Sequence, residues 1–336
     1  MVAELVSLDE VRAAARRLTG VVVRTPLIPF VAENANLLIK PESLQPTGAF
    51  KLRGAYNAIS ALPAAAKASG VVAHSSGNHG FAVAYAAALL NVRAAIVVPD
   101  NAPRVKTDAI ARAGAELVRV EPTMAARVEA AERIARMRGY AQIPPFDDRH
   151  VIAGQGTIGL EIAEDCTPEP PRAVLVPVSG GGLISGIAVA ITALMPGTKV
   201  IGVEPELAAD ARESLHSGTR VAWPAAAVAR TRADALRVEQ VGELTFPHIR
   251  ELVSDIVTVS EAEMLAAIRG LALNARLVAE PGGAAAVAAC LFRDAAELGL
   301  TEGNDDAAVV AVLSGGNIDP NLLAEVLAPA TESYTR

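Results

Sequence analysis

Aromatic residues make up only 3% of this 336-residue chain, and there is a single tryptophan. Nucleic-acid surfaces need stacking rings or clustered cations. Here Lys and Arg alternate with acids and the formal net charge is −7, so nucleic-acid binding is disfavoured. Cysteine is as scarce: Cys166 and Cys290 are the only two, far apart and without metal-ligand spacing. They read as free buried thiols of a reducing compartment, not as a disulfide or a zinc site. The N-terminal stretch MVAELVSLDEVRAAARR carries acids early and has no apolar core closed by a small-residue cleavage site. No secretory signal is expected, and the expected location is cytoplasmic.

One stretch, residues 173 to 198, has no charged residue and is long enough to cross a bilayer. Pro177 and Gly180-Gly181-Gly182 would break a spanning helix at its middle. A buried strand, a glycine loop and a buried helix are expected in its place, with no membrane association. The length points to about two domains sharing a cleft.

The chain holds plenty of apolar material, 51% against 20% charged. Ser7-Leu8-Asp9-Glu10 has the capping-box pattern and opens a helix through Leu18. From residue 71 strands and helices alternate. Strands are expected at 71–73, 94–98, 116–120, 173–178, 200–203, 256–259 and 307–313. Helices are expected at 81–90, 106–113 and 124–137, and from Ser260 onward behind a second Ser-x-x-Glu box. Short apolar strands separated by helices imply parallel sheets covered on both faces, an α/β fold. Such sheets bind ligands at the carboxyl ends of their strands, so the loops after residues 74, 178, 203 and 313 are where chemistry should lie.

Three segments at those strand ends, and a fourth around Lys51, carry polar chemistry. Ser179-Gly180-Gly181-Gly182-Leu183 is in outline a phosphate cradle at a helix N-terminus, although a plain tight turn has the same composition. Its spacing is neither that of a nucleotide P-loop nor that of a dinucleotide fold. Lys51, between apolar neighbours in Phe50-Lys51-Leu52, is either a surface stem covering Phe50 or a buried amine able to form a Schiff base. His74-Ser75-Ser76-Gly77-Asn78-His79-Gly80 offers hydroxyls, an amide and helix N–H groups to an anion, or serves as an ordinary N-cap. Ser314-Gly315-Gly316-Asn317 ends the last strand with polar groups that suit a ring nitrogen or a simple turn.

In this order and spacing, these four segments resemble the fold-type II pyridoxal-phosphate enzymes, and among them the serine/threonine dehydratases and serine racemases. The run from Pro145 through Gln155-Gly156-Thr157 and the segment Ala279-Glu280-Pro281 match as well, so the resemblance covers nearly the whole chain. It implies a two-domain enzyme, with a small domain at residues 66–149 inserted into a larger one made of 1–65 and 150–336, and a homodimer. It also implies that Lys51 holds pyridoxal phosphate as a Schiff base, that Phe50 packs on the ring and that Asn78 bonds the ring hydroxyl. Gly180, Gly181, Gly182 and Leu183 would wrap the phosphate, and Ser314 would face the ring nitrogen. Ser75, Ser76, Asn78 and His79 would receive the carboxylate of an amino-acid substrate.

The resemblance extends to a divalent cation, Mg²⁺ or Ca²⁺, held by Glu204, the Ala208 carbonyl and Asp210. Without it, two acids six residues apart are usually just solvated. The expected reaction is dehydration of L-threonine or L-serine to a 2-oxo acid and ammonia. Alternatives are a serine racemase, a hydroxyaspartate dehydratase, a β-replacement lyase, or a protein that binds the cofactor or an amino acid without turnover. Ser76 stands where racemase-like members have Ser and many dehydratases have Ala, which makes it a candidate proton donor opposite Lys51. Three departures bear on substrate: Ala49 replaces a common Ser, Phe81 a common Gln, and Val238 a Ser of the animal racemase. The chain runs only a short way past Asn317, so no regulatory domain of the biosynthetic threonine dehydratases, and no inhibition by isoleucine, is expected.

Overall fold

Ten strands form two separate sheets in the computed structural model, which describes residues 4–32, 35–102, 104–301 and 307–328. In chain order they are β1 (Ile28–Ala32), β2 (Ala35–Pro41), β3 (Val71–His74), β4 (Ala94–Pro99), β5 (Glu116–Val120), β6 (Ala141–Gln142), β7 (Ala173–Pro177), β8 (Lys199–Pro205), β9 (Asp255–Val259) and β10 (Val309–Leu313). The larger sheet runs β1-β2-β10-β7-β8-β9 and the smaller β5-β4-β3-β6. Every pairing is parallel except β1 with β2. The smaller sheet is drawn wholly from chain that lies between β2 and β7, so it is an insertion into the larger unit.

Both sheets are covered on both faces, the edge strands β5 and β6 being only partly buried, as apolar runs without polar alternation require. In β7, Val174 and Val176 pack with Ile184, Ile187 and Ile191 on one side. Ala173 and Leu175 turn to Ala284, Ala285 and Ala288 on the other. Each fully buried Val or Ile contributes about 1.5–3 kcal/mol, so these strands are the anchor of the larger unit. In the smaller sheet, Val71, Ala73 and Ile96 meet Ala82, Val83 and Ala86, while Val72, Ala95 and Val97 meet Ala130, Ala131 and Ile134.

Several local expectations are met. Ser7 Oγ accepts the Glu10 N–H at 3.3 Å while the Glu10 carboxylate accepts the Ser7 N–H at 2.8 Å. Ser260 and Glu263 repeat the arrangement. The charge-free stretch is β7, a glycine turn and the helix Gly182–Leu194. No helix among the described residues is long and apolar enough to cross a membrane. Cys166 and Cys290 are free.

Other features differ. The β1–β2 hairpin, with Pro29 tolerated on its edge strand, is an antiparallel addition that the helix–strand alternation did not signal. The helix expected from Phe81 starts at Asn78. Its first turn holds Gly80, where a Cβ would lie 2.0 Å from the Ser75 carbonyl oxygen. Close packing against that carbonyl overrides the weak helix propensity of the Gly77-Asn78-His79-Gly80 run.

Candidate active site

Lys51 is the first residue of the helix Lys51–Ala61, and the segment before it is pinned to the end of β10. The Phe50 N–H donates to the Ser314 carbonyl at 3.0 Å, and Ala49 bridges Gly315. Gly48, at φ +71°, is required here: a Cβ would sit 2.3 Å from Asn317 Oδ1. The Lys51 amine stands 4.9 Å from the centre of the Phe50 ring and donates to the Pro145 carbonyl at 2.7 Å. Burial lowers its pKa from 10.5 to about 8, as expected for an amine that must lose its proton to become a nucleophile.

The glycine turn lies on the other side of the same Pro145-Phe146 segment. The Phe146 ring occupies the space of a side chain at Gly180, where a Cβ would come within 2.3 Å, and its backbone crowds Gly182 in the same way. Gly181 adopts φ +89°. Leu183 is buried in the first turn of the helix Gly182–Leu194, whose leading N–H groups have no partner within the helix. Such a side-chain-free cradle at a helix N-terminus fits a phosphate group. Ser314 is buried at the end of β10.

The loop after β3 forms part of a cavity of about 690 Å³. Ser76, Gly77, Asn78 and Phe81 line it together with Arg237 and Glu280. Ser75 accepts the Gly77 N–H through its hydroxyl at 3.2 Å. The Asn78 amide donates to Glu280 Oε1 at 2.6 Å and accepts from Asn317 at 2.7 Å. The His79 ring is buried, with Nε2 2.8 Å from the Ile143 carbonyl. Burial, then the nearby Lys51 charge, lowers its pKa to about 3, so the imidazole is neutral. It brings no positive charge to a carboxylate.

Glu204 lies in β8 and Asp210 opens the helix Asp210–Ser217; both are buried, as is Ala208 between them. Glu204 accepts the Arg212 N–H at 2.8 Å and the Ala211 N–H at 3.3 Å, whereas the Asp210 oxygens make no well-aligned hydrogen bond and have only the Asp210 and Val241 N–H groups nearby to favour their charge. Burial raises both carboxyls, Asp210 to about 7, and the Asp210 charge adds to the rise at Glu204. A desolvated pair of carboxylates, one of them without a close protein donor, suits a divalent cation. The described residues contain no cluster of three or more His, Cys, Asp or Glu side chains suited to a metal.

Three contributors had little or no signature in the sequence. Glu280 was visible only through the match of Ala279-Glu280-Pro281 to the family, and its tie to Asn78 spans 202 positions, which no local pattern records. Residues 144–148 are rich in turn formers and show beyond that only the family match that begins at Pro145, yet with Ile143 this segment supplies the acceptors for Lys51 and His79 and the ring over the glycines. Thr245, which donates to the Gly180 carbonyl at 2.7 Å, has no local pattern at all.

A desolvated lysine beside a phosphate cradle, at the strand ends of a two-sheet α/β fold, defines a fold-type II pyridoxal-phosphate enzyme. The chain belongs to the pyridoxal-phosphate dependent enzyme family, whose pattern matches residues 18–315, and within it to the serine/threonine dehydratases and serine racemases. It is 39% identical to a serine racemase of Arabidopsis thaliana over 94% of each chain. To an L-threo-3-hydroxyaspartate ammonia-lyase of Saccharomyces cerevisiae it is 38% identical, over 97% of this chain and 98% of the relative. Among solved structures, a T.th. threonine deaminase superposes with a TM-score of 0.83 at 42% identity, covering 93% of this chain and 99% of that one. Maize serine racemase gives a TM-score of 0.89 at 34% identity over 96% and 97%.

Proposed function

We propose that the protein is an ammonia-lyase that dehydrates L-threonine and L-serine to 2-oxo acid and ammonia. The observation that carries this reading is the Lys51 amine, lowered to a pKa of about 8 by burial and held on the Pro145 carbonyl, next to the Phe146 that packs on the glycine turn. Pyridoxal phosphate, when bound, supplies an electron sink for the substrate's α-carbon. Gly180, Gly181, Gly182 and Leu183 would hold its phosphate, Phe50 and Asn78 would hold its ring, and Ser314 would offer the ring nitrogen a neutral hydroxyl. A neutral hydroxyl there would not hold a positive charge on that nitrogen as a carboxylate would, which would favour prompt loss of the β-hydroxyl over transamination. Ser75, Ser76 and Asn78 orient the substrate carboxylate, and His79 contributes its backbone N–H there while its ring stays on Ile143. The Lys51 amine removes the α-proton. Domain closure, with the smaller unit taken as residues 66–149, excludes water during this step.

A second reading, a β-hydroxy amino acid with a further carboxylate, is favoured by Arg237 in the cavity wall and by the yeast relative. Its Nε donates to the Thr231 carbonyl at 2.9 Å, which holds the guanidinium at the cavity. Measuring kcat/KM for threonine, serine and threo-3-hydroxyaspartate by oxo-acid release separates the two. No oxo acid from any of them would remove the lyase assignment.

Ser76 is the proposed proton donor on the face opposite Lys51, so slow serine racemisation should accompany elimination. Ser76→Ala is expected to lower racemisation by about 10²-fold, the usual contribution of a positioned acid, and elimination from the L-substrate much less. Chiral chromatography of serine after incubation reads the ratio; equal losses would make Ser76 a carboxylate contact only.

Glu204, the Ala208 carbonyl and Asp210 are proposed to hold Mg²⁺ or Ca²⁺. Adding either ion to chelator-stripped protein should raise Tm, by the equivalent of about 2.7 kcal/mol at a hundredfold excess over Kd. Asp210→Asn should abolish that response; an unchanged response would place the ion elsewhere.

A further inference from the structure

We infer that Asp147 and Thr245 are positioning residues that preset the glycine turn for phosphate. The inference rests on the reading of residues 180–183 as the phosphate cradle.

Asp147 leaves the smaller unit on the segment that also carries Pro145 and Phe146, and its carboxylate is spent entirely on another element. Oδ2 accepts the Glu243 N–H at 3.0 Å; Oδ1 accepts those of Leu244 at 2.8 Å and Thr245 at 3.3 Å. These amides lead into the helix Thr245–Leu252, so the carboxylate caps its positive end. The approach demands Gly242, where a Cβ would lie 2.1 Å from Asp147 Oδ1. The turn so organised then grips the cradle. The buried Thr245 hydroxyl donates to the Gly180 carbonyl at 2.7 Å, and the Gly242 N–H reaches the same oxygen at 3.3 Å.

The physical need is clear from the composition of the cradle. Three consecutive glycines have no side chains to hold their shape and many backbone conformations to lose, so a free turn would bind phosphate only after an entropic cost. Two donors on one carbonyl, themselves fixed by the half-buried Asp147 carboxylate, remove that cost before the ligand arrives. The group that benefits is the phosphate alone. Lys51 captures a carbonyl whether or not a phosphate is attached, which separates positioning of the cradle from general folding.

Full-length protein freed of cofactor is titrated with pyridoxal phosphate and, separately, with pyridoxal, following absorbance and Lys51 capture. Wild type should prefer the phosphorylated form strongly. Asp147→Asn should lose about tenfold of affinity for pyridoxal phosphate, the scale of a lost charge-assisted bond, and little for pyridoxal. Thr245→Val should shift the same ratio in the same direction with the helix cap intact, and Thr245→Ser should restore it. This pair decides the matter if Asp147→Asn folds poorly. Unchanged affinity for pyridoxal phosphate in both variants, or parallel losses for the two ligands, would overturn the inference. A wild type indifferent to the phosphate would overturn the cradle reading along with it.

Discussion

Lys51→Ala is expected to be colourless after purification and to release oxo acid at least about 10⁴-fold more slowly than wild type, since nucleophile and general base are lost together. The free amine's acidity supplies a second check. Burial has lowered its pKa from 10.5 to about 8, so the ammonium predominates below that value and the reactive neutral amine above it. Capture of pyridoxal phosphate by cofactor-free protein should therefore quicken as pH rises through about 8 and then level off. Stopped-flow absorbance gives this profile directly. Full activity in Lys51→Ala, or a capture rate that falls over that range, would mean another group holds the cofactor.

Arg53, two residues along the same helix, should give the largest loss of stability. Its guanidinium is fully buried, with Nε 2.8 Å from Glu42 Oε2, Nη1 2.6 Å from Glu161 Oε1 and 3.1 Å from the Thr157 hydroxyl. Lys40, equally buried, completes the cluster at 2.7 Å from Glu161. Replacing one partner of such a group leaves an unpaired buried charge and costs about 3–5 kcal/mol. Arg53→Met should show that loss in urea denaturation, while Arg53→Met with Glu42→Gln should recover much of it, because Lys40 and Glu161 still neutralise each other. If the double variant is the weaker, the cluster's value lies in its hydrogen bonds and not in charge balance. Burial alone would raise the Glu42 carboxyl, but Arg53 overrides it and holds the pKa below 4.5. The associated stability is thus present above pH 4.5 and lost only as pH falls through the lowered value.

The strands were legible because a parallel sheet buried on both faces writes itself as short apolar runs, and the boundaries expected for β3, β4, β5, β7 and β9 lie within a residue of those observed. The two capping boxes were legible for a similar reason, since their partners are three residues apart. The serine–asparagine loop, the glycine triplet and Ser314 could be picked out because each follows an expected strand, where such chemistry belongs, whereas Lys51 stood out only by its apolar neighbours and the resemblance of the whole set to the family. Local pattern therefore determined the fold class and the principal candidates. Tertiary structure alone decided what surrounds them: Pro145 under Lys51, Glu280 against Asn78, Asp147 capping a helix nearly a hundred positions away, and Arg53 paired across 108 positions with Glu161. It also turned the His79 ring away to Ile143. None of these partners leaves a periodic or composition signal. A hydrogen bond or ion pair depends on which backbones meet in space, and that meeting is set by sheet order and helix packing, whereas capping and burial patterns are set by neighbours a few residues apart.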